Sequence, residues 1–249
     1  MSASSGAGQV SRLYGATEVL SLQRHGNLGL VAEGNYKFAR GIVSVPASLS
    51  EIVLAQRFYP IVFAGTEMPL PVIVLGLSEA TGNLFVGADG RWVKHWYVPA
   101  FLRRYPFIAV PKQSGKELVL AADLNSDLIV ENAPRRFFAD GKPSDSAKRA
   151  FDFCAKLHSD FEAAREFAAT LADVGLLRDQ RAEVSLGGKS RLKLTNFRMV
   201  DEAKLDAVPD ETFLELRRRG WLASVHAHLM SLASWGDLAR RAGTGLDSG

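Results

Sequence analysis

Residues 144–174 read SDSAKRAFDFCAKLHSDFEAAREFAATLADV, and their spacing decides the fold class. Apolar side chains recur at Ala147, Phe151, Cys154, Leu157, Phe161, Ala164, Ala168, Leu171 and Val174. Every step is three or four residues, which lines one face of a helix and does not alternate across a strand. Ser144 stands where an N-cap hydroxyl accepts a free amide. Gly175 stands where a left-handed C′ residue ends a helix with least strain. The spacing predicts a helix of about 30 residues, roughly 45 Å long at ~1.5 Å per residue.

Upstream of this helix the pattern is strand-like from about Glu18 to Val130. Phe38, Ile42, Val43 and Val45 predict extended chain before Pro46, and Ser48 to Arg57 a short helix capped by Ser48 or Ser50. Tyr59–Ala64 and Pro71–Leu77 are two apolar runs across a Gly/Pro loop and predict a buried hairpin. Asn83–Val86, Phe107–Val110 and Leu118–Ala121 predict further strands, with a turn at Asp89-Gly90 and a helical turn at Pro99–Arg104. Asp140-Gly141 and Pro143 form the turn that leads into the long helix.

Downstream, Ala182–Leu186 and Arg191–Phe197 flank Gly187-Gly188 as a hairpin. Asp210 and Glu211 open a helix that Arg217 to Arg219 close, as the helix dipole favours. Leu222, Val225, Leu229 and Leu232 mark another helix, and Ser234 with Asp237 resembles a capping box. The fold class is therefore α+β: a mostly antiparallel, β-rich N-terminal half, one long amphipathic helix, a β-hairpin and a helical C-terminus. One domain is expected over 13–242, between loose tails at 1–12 and 243–249.

The composition narrows the function classes without naming a chemistry. The chain has 249 residues, 47% hydrophobic and 23% charged, which excludes a disordered, collagenous or polytopic membrane protein. The most apolar window, Leu70–Leu77, contains Pro71 and Gly76 and is too short to span a bilayer. Thirty basic and 27 acidic residues leave a net charge of +3, and so small an excess weighs against nucleic acid. The one cysteine, Cys154, cannot form an intramolecular disulfide. The N-terminus has no basic cluster followed by an apolar segment. The expected compartment is the cytoplasm, with signal-less export left open.

Motifs with chemistry are sparse. Neither a phosphate loop nor a GxSxG elbow occurs. Asp123, Asn125 and Asp127 begin like a calcium loop, but Leu128 and Pro134 stand where its glycine and bidentate acid belong. Two residues apart on a helix, His226 and His228 diverge by about 200°. Their spacing predicts His226 flanking the apolar face and His228 pointing away, with no shared metal. Cys154 lies on the apolar stripe and is read as a small hydrophobe. No metal or cofactor is expected.

One segment stands out. Residues 91–116 carry Arg91, Lys94, Arg103, Arg104, Lys112 and Lys116 without an acid, interleaved with Trp92, Trp96, Tyr97, Phe101, Tyr105 and Phe107. Such a run can pack a core while its bases reach solvent. It can also bind a protein partner or a small anionic or planar ligand, or stack single-stranded nucleic acid. The candidate binding residues are Trp92, Trp96, Tyr97, Arg103, Arg104 and Tyr105. An enzymatic alternative, acting on a small molecule or peptide, would pair His95 or His226 with Asp123 or Asp89.

The same run, YVPAFLRRYPF from Tyr97 to Phe107, resembles the bacterial SapC family. So do Phe58–Phe63, Pro71–Leu77, Asn83–Val86, Gly90-Arg91-Trp92, Phe138–Pro143, the long helix, Gly175-Leu176-Leu177, Val200-Asp201-Glu202 and His226–Leu229. The family pattern near L-C-I-D-E-D-S reads LAADLNS at 120–126, keeping Asp123 and Ser126 but placing Ala121 where the cysteine falls. The resemblance implies an accessory or binding protein linked to the bacterial cell envelope, its surface layer or TonB-dependent nutrient uptake. It implies no particular reaction, and no residue's role carries over from it.

Overall fold

The computed structural model describes residues 13–65, 67–112, 115, 117–186 and 190–246. The expected tail at 1–12, the Gly187-Gly188 turn, Lys116 and 247–249 lie outside the described residues. In chain order the elements are β1 (Thr17–Val19), α1 (Leu22–His25), β2 (Leu28–Leu30), β3 (Ser44–Pro46), α2 (Leu49–Ala55), β4 (Ile61–Ala64), β5 (Leu70–Val74) and α3 (Ala100–Arg103). There follow β6 (Phe107–Pro111), β7 (Leu118–Asp123), β8 (Ile129–Glu131), β9 (Arg135–Arg136), β10 (Phe138–Ala139), β11 (Lys142–Pro143) and α4 (Asp145–Asp173). The chain ends with β12 (Leu177–Leu186), β13 (Ser190–Val200), α5 (Glu202–Asp206), α6 (Asp210–Arg218), α7 (Leu222–Ser231) and α8 (Trp235–Leu246).

The expected hairpin of β4 and β5 is the heart of a five-stranded sheet ordered β12-β13-β4-β5-β3, antiparallel throughout. Every residue of β3, β4 and β5 is buried, which explains why these strands read as apolar runs without polar alternation. A second sheet, β1-β7-β6, and a third, β8-β2-β9, complete the β structure with the β10–β11 hairpin. Asp140 and Gly141 turn that hairpin with φ of 50° and 73°, the left-handed pair that a tight two-residue turn requires.

The long helix follows its predicted bounds. The Ser144 hydroxyl accepts from the Ala147 amide at 3.2 Å, and Gly175 leaves the helix with φ of 72°. Its first half covers the second sheet, where Cys154 joins Phe107, Ala109, Ala122 and Phe137 in a small core. Its second half lies against β5 and α2 and sends Leu157, Phe161, Phe167, Ala168 and Leu171 into the main core. One helix thus seals two sheets. Phe167 falls outside the stripe read from the sequence but is fully buried, whereas Val174 at the helix end is exposed.

Four local expectations need correction. Phe38 lies in a 3₁₀ turn, Lys37–Ala39, closed by amide bonds from Ala39 to Tyr36 and from Arg40 to Lys37, and the strand begins only at Ser44. Asn83–Val86 is a turn carrying a single bridge between Val86 and Trp92. There the Asn83 side chain accepts from the Phe85 amide at 2.9 Å and donates to the Ala39 carbonyl at 3.2 Å, displacing ladder bonds. The last helix continues to Leu246, past Gly243 where a loose tail was expected.

The fourth correction concerns α7, whose buried face is the one that carries His228. His228 is fully buried, and His226 is exposed. The apolar period placed His228 outward. Instead Ser224, His228 and Ser231 face inward, and β4 and β13 offer His228 and Ser231 backbone groups. The Ser231 hydroxyl accepts from the Ile61 amide at 3.0 Å, and the His228 ring reaches Ile61 and Val200. A buried polar face is stable when each of its groups has a partner. No helix among the described residues is long and apolar enough to cross a membrane.

Candidate functional site

Tyr97–Pro106 lies within the acid-free run, on the chain that leads from the five-stranded sheet to the second sheet. Pro99 precedes α3, and its carbonyl accepts the amides of Leu102 and Arg103. Successive side chains on a helical turn diverge by about 100°, so Arg103, Arg104 and Tyr105 leave in three directions. Arg103 is exposed, donates to the Tyr97 hydroxyl at 3.0 Å, and lies 5.4 Å above the Tyr97 ring and 5.3 Å above Phe153. Arg104 turns inward, between the rings of Phe101, Tyr14 and Phe161. Tyr105 stacks on Phe38 with ring centroids 4.2 Å apart, and its hydroxyl donates to Asp123 Oδ2 at 3.2 Å.

Trp92 and Trp96 belong to an aromatic cluster packed on the main core. Trp92 Nε1 donates to the Tyr59 hydroxyl at 3.2 Å, and that hydroxyl donates in turn to the Tyr97 carbonyl. Trp96 touches Phe58, Tyr59 and Phe85, and the Arg241 guanidinium of α8 lies 4.3 Å above its ring. The two tryptophans are therefore held apart from the arginines of the turn and serve packing first. Lys112 is exposed and pairs with Glu117 at 3.4 Å.

The alternative polar candidates go separate ways. Asp123 is buried and saturated: Oδ1 accepts the amides of Ala16 and Asn125, and Oδ2 accepts the Gly15 amide and the Tyr105 hydroxyl. With Ser126, whose hydroxyl accepts from Leu128, it ties the loop after β7 to the chain before β1. Asp89 is exposed and closes its turn through the Arg91 amide at 2.9 Å. His95 is exposed with φ of 67°, and exposed His226 meets the Leu222 carbonyl of its own helix. The hydrogen bonds of these four join none of them to another.

Two concavities beside α3 share Arg103. The larger, about 290 Å³, lies between Tyr36, Phe38, Arg103 and Tyr105, with Arg135 and Asn35 at its side. Three aromatic rings and two guanidinium groups line it, and no carboxylate does. Arg135 is fixed by donating from Nε to the Val31 carbonyl at 3.2 Å. Partial burial pushes the Tyr36 hydroxyl above its ordinary pKa, and the Arg103 charge only partly offsets this. Tyr36 and Phe38 enter from β2–β3 and Arg135 from β9, far from the run in sequence, so no local signal marked them.

The smaller, about 190 Å³, is lined by Glu51, Tyr97, Arg103, Lys156 and Asp160 among others. Glu51 is buried, accepts the Ala100 and Ser48 amides, and completes a capping box with Ser48. Burial outweighs these donors and raises its pKa above the ordinary carboxylate value. The Ser48-x-x-Glu51 spacing is the signal that would have found it. Asp160 is occupied by Ser50, whose hydroxyl donates at 2.6 Å. Among the described residues no group of three or more His, Cys, Asp and Glu side chains could hold a metal ion.

A family model for SapC matches residues 20–238, a span that takes in both sheets, α4 and the 97–106 turn. Comparison with curated proteins and with solved structures gives no match.

Proposed function

The chain belongs to the SapC family, and on that premise we propose that it is a cytoplasmic accessory protein that binds a small, planar, anionic ligand. We set it in cell-envelope or TonB-dependent uptake functions, as the family resemblance implies. The observation that carries the binding role is the acid-free cavity of about 290 Å³ in which Arg103 and Arg135 flank Tyr36, Phe38 and Tyr105. Ligand sites combine apolar walls with a few fixed polar groups. Aromatic faces hold a planar body, and guanidinium groups hold a carboxylate or phosphate in a defined plane. Tyr105 is positioned by its stack on Phe38 and its bond to Asp123, so the wall is largely formed before a ligand arrives.

Fluorescence titration with benzoate and with its neutral counterpart benzamide tests this reading. Benzoate should bind the wild type and lose at least tenfold in affinity in Arg103→Gln, with benzamide weak in both. Equal binding of the two probes, or an unchanged Arg103→Gln, would overturn it. Cell fractionation tests the compartment: recovery with the outer membrane or the medium would count against a cytoplasmic role.

A further inference from the structure

Arg104 is the one arginine of the 97–106 turn that does not line the aromatic cavity. Only 7% of it is exposed, and its guanidinium carbon lies 4.4 Å from the Phe101 ring, 5.5 Å from Tyr14 and 5.6 Å from Phe161. No carboxylate forms an ion pair with it among the described residues, and its buried Nε has no hydrogen-bond partner there. Buried charges are ordinarily paired, because desolvation without a counter-charge is costly. Tyr14, whose hydroxyl donates to the Phe107 carbonyl at 2.8 Å, offers the guanidinium a neutral oxygen as acceptor but no counter-charge.

This arginine opens onto a third concavity of about 150 Å³, which shares no lining residue with the aromatic cavity. His158 and Arg165, two turns apart on α4, line it with Arg104, and Phe101 and Phe161 form its apolar wall. Among the described residues no acidic side chain lines it. Arg165 is steadied from outside by Glu162, leaving its remaining donors free to turn inward. The two basic groups of α4 arise from the exposed edge of the helical stripe, and Arg104 arises from the core side.

We infer that this cavity is an anion site, in which Arg104, His158 and Arg165 hold the oxygens of a carboxylate or phosphate group. The ligand would supply the counter-charge that the fold withholds from Arg104. Arginine at its base supplies a planar fork for two oxygens, and the aromatic rings around it exclude water and strengthen the pairing. The site is distinct from the aromatic cavity, so it stands or falls independently of the proposed ligand there.

Thermal unfolding in sodium phosphate, sodium acetate and sodium chloride, matched in ionic strength and pH, tests it. Phosphate or acetate should raise the midpoint progressively over chloride, as a ligand of the native state must, and the stronger of the two identifies the group. Arg104→Met keeps the length and apolar stem while removing the charge, and should abolish the difference between anions. Every comparison is made in an Arg103→Gln background, which removes a guanidinium group of the aromatic cavity, and the difference between anions should persist in that background while Arg104 is present. Should Arg104→Met fail to fold, Arg165→Gln with His158→Gln, both on the cavity rim, should weaken the apparent affinity at least tenfold. Equal midpoints in all three salts, or an anion response that survives in the rim double variant, would overturn the inference.

Discussion

His228 Nε2 accepts the backbone amide of Val200 at 3.1 Å, joining α7 to the end of β13 across 28 residues of sequence. An acceptor at Nε2 puts the ring proton on Nδ1, which donates to the Ile61 carbonyl of β4 at 2.8 Å. The neutral ring thus bridges two neighbouring strands. Burial lowers its pKa from 6.5 to about 4, with the Ile61 bond opposing only in part. The unfolded chain therefore binds a proton below about 6.5 that the folded chain refuses until about 4. Stability should be full above that window and fall through it as pH drops, by on the order of a few kcal/mol. Urea unfolding at pH 7, 5.5 and 4 measures this. His228→Gln should be less stable at pH 7 and should lose much of the acid dependence; an undiminished dependence would place its origin elsewhere.

Asp123 gathers four donors on two oxygens, and the consequence can be graded by substitution. Tyr105→Phe removes one of four donors to this buried carboxylate and should cost about 1 kcal/mol. Asp123→Asn is nearly isosteric but turns an amide NH₂ toward groups that themselves donate, so it should cost about 3 kcal/mol. The comparison is made from urea midpoints at unchanged slope. Equal costs for the two variants would mean that Asp123 is not the hub of this loop.

The contrast between α4 and α7 shows what local sequence can carry. In α4 the apolar period, the Ser144 cap and Gly175 all point the same way, and the structure follows them to within a residue. In α7 the period alone misplaces His228, because its inward face is set by unpaired strand groups at Ile61 and Val200 that lie 167 and 28 residues away. The β4–β5 hairpin was legible because both its strands are apolar throughout, whereas Asn83–Val86 was not, since one side chain there outcompetes the ladder. For the candidate site, the run from Arg91 announced Arg103, Arg104 and Tyr105 but not that Arg104 faces a different cavity from the other two. Tyr36, Phe38 and Arg135 reach the aromatic cavity only through the pairing of β2 with β9 and the fold of the chain beyond it.

Cys154 offers a check on the small core beneath the first half of α4. It is 2% exposed among Phe107, Ala109, Ala122 and Phe137. Burial pushes its thiol up to about 11, with the nearby Arg104 charge opposing weakly. At pH 8 the native protein should therefore react with a disulfide reagent at least a hundredfold more slowly than the urea-unfolded chain, which should release one equivalent. Fast labelling of the native state would show that α4 opens from the second sheet on its own.

Glu51 predicts a pH dependence of the opposite sign to that of His228. Its folded pKa is raised by burial, so above about 4.5 the folded chain retains a proton that the unfolded chain has released. Stability should fall as pH rises through that window and be level beyond it. The carboxyl also receives the Ala100 and Ser48 amides, tying α3 to the start of α2. Glu51→Gln keeps a carbonyl for the Ala100 amide and removes the titrating proton, so it should cost about 1 kcal/mol at pH 7 and flatten the window. Glu51→Ala strands both amides and should cost about 3 kcal/mol. Because Ala100 opens the helix that carries Arg103, Glu51→Ala should also weaken benzoate binding while Glu51→Gln leaves it within about twofold. If both variants bind benzoate like the wild type, the α2–α3 tie does not position the aromatic cavity.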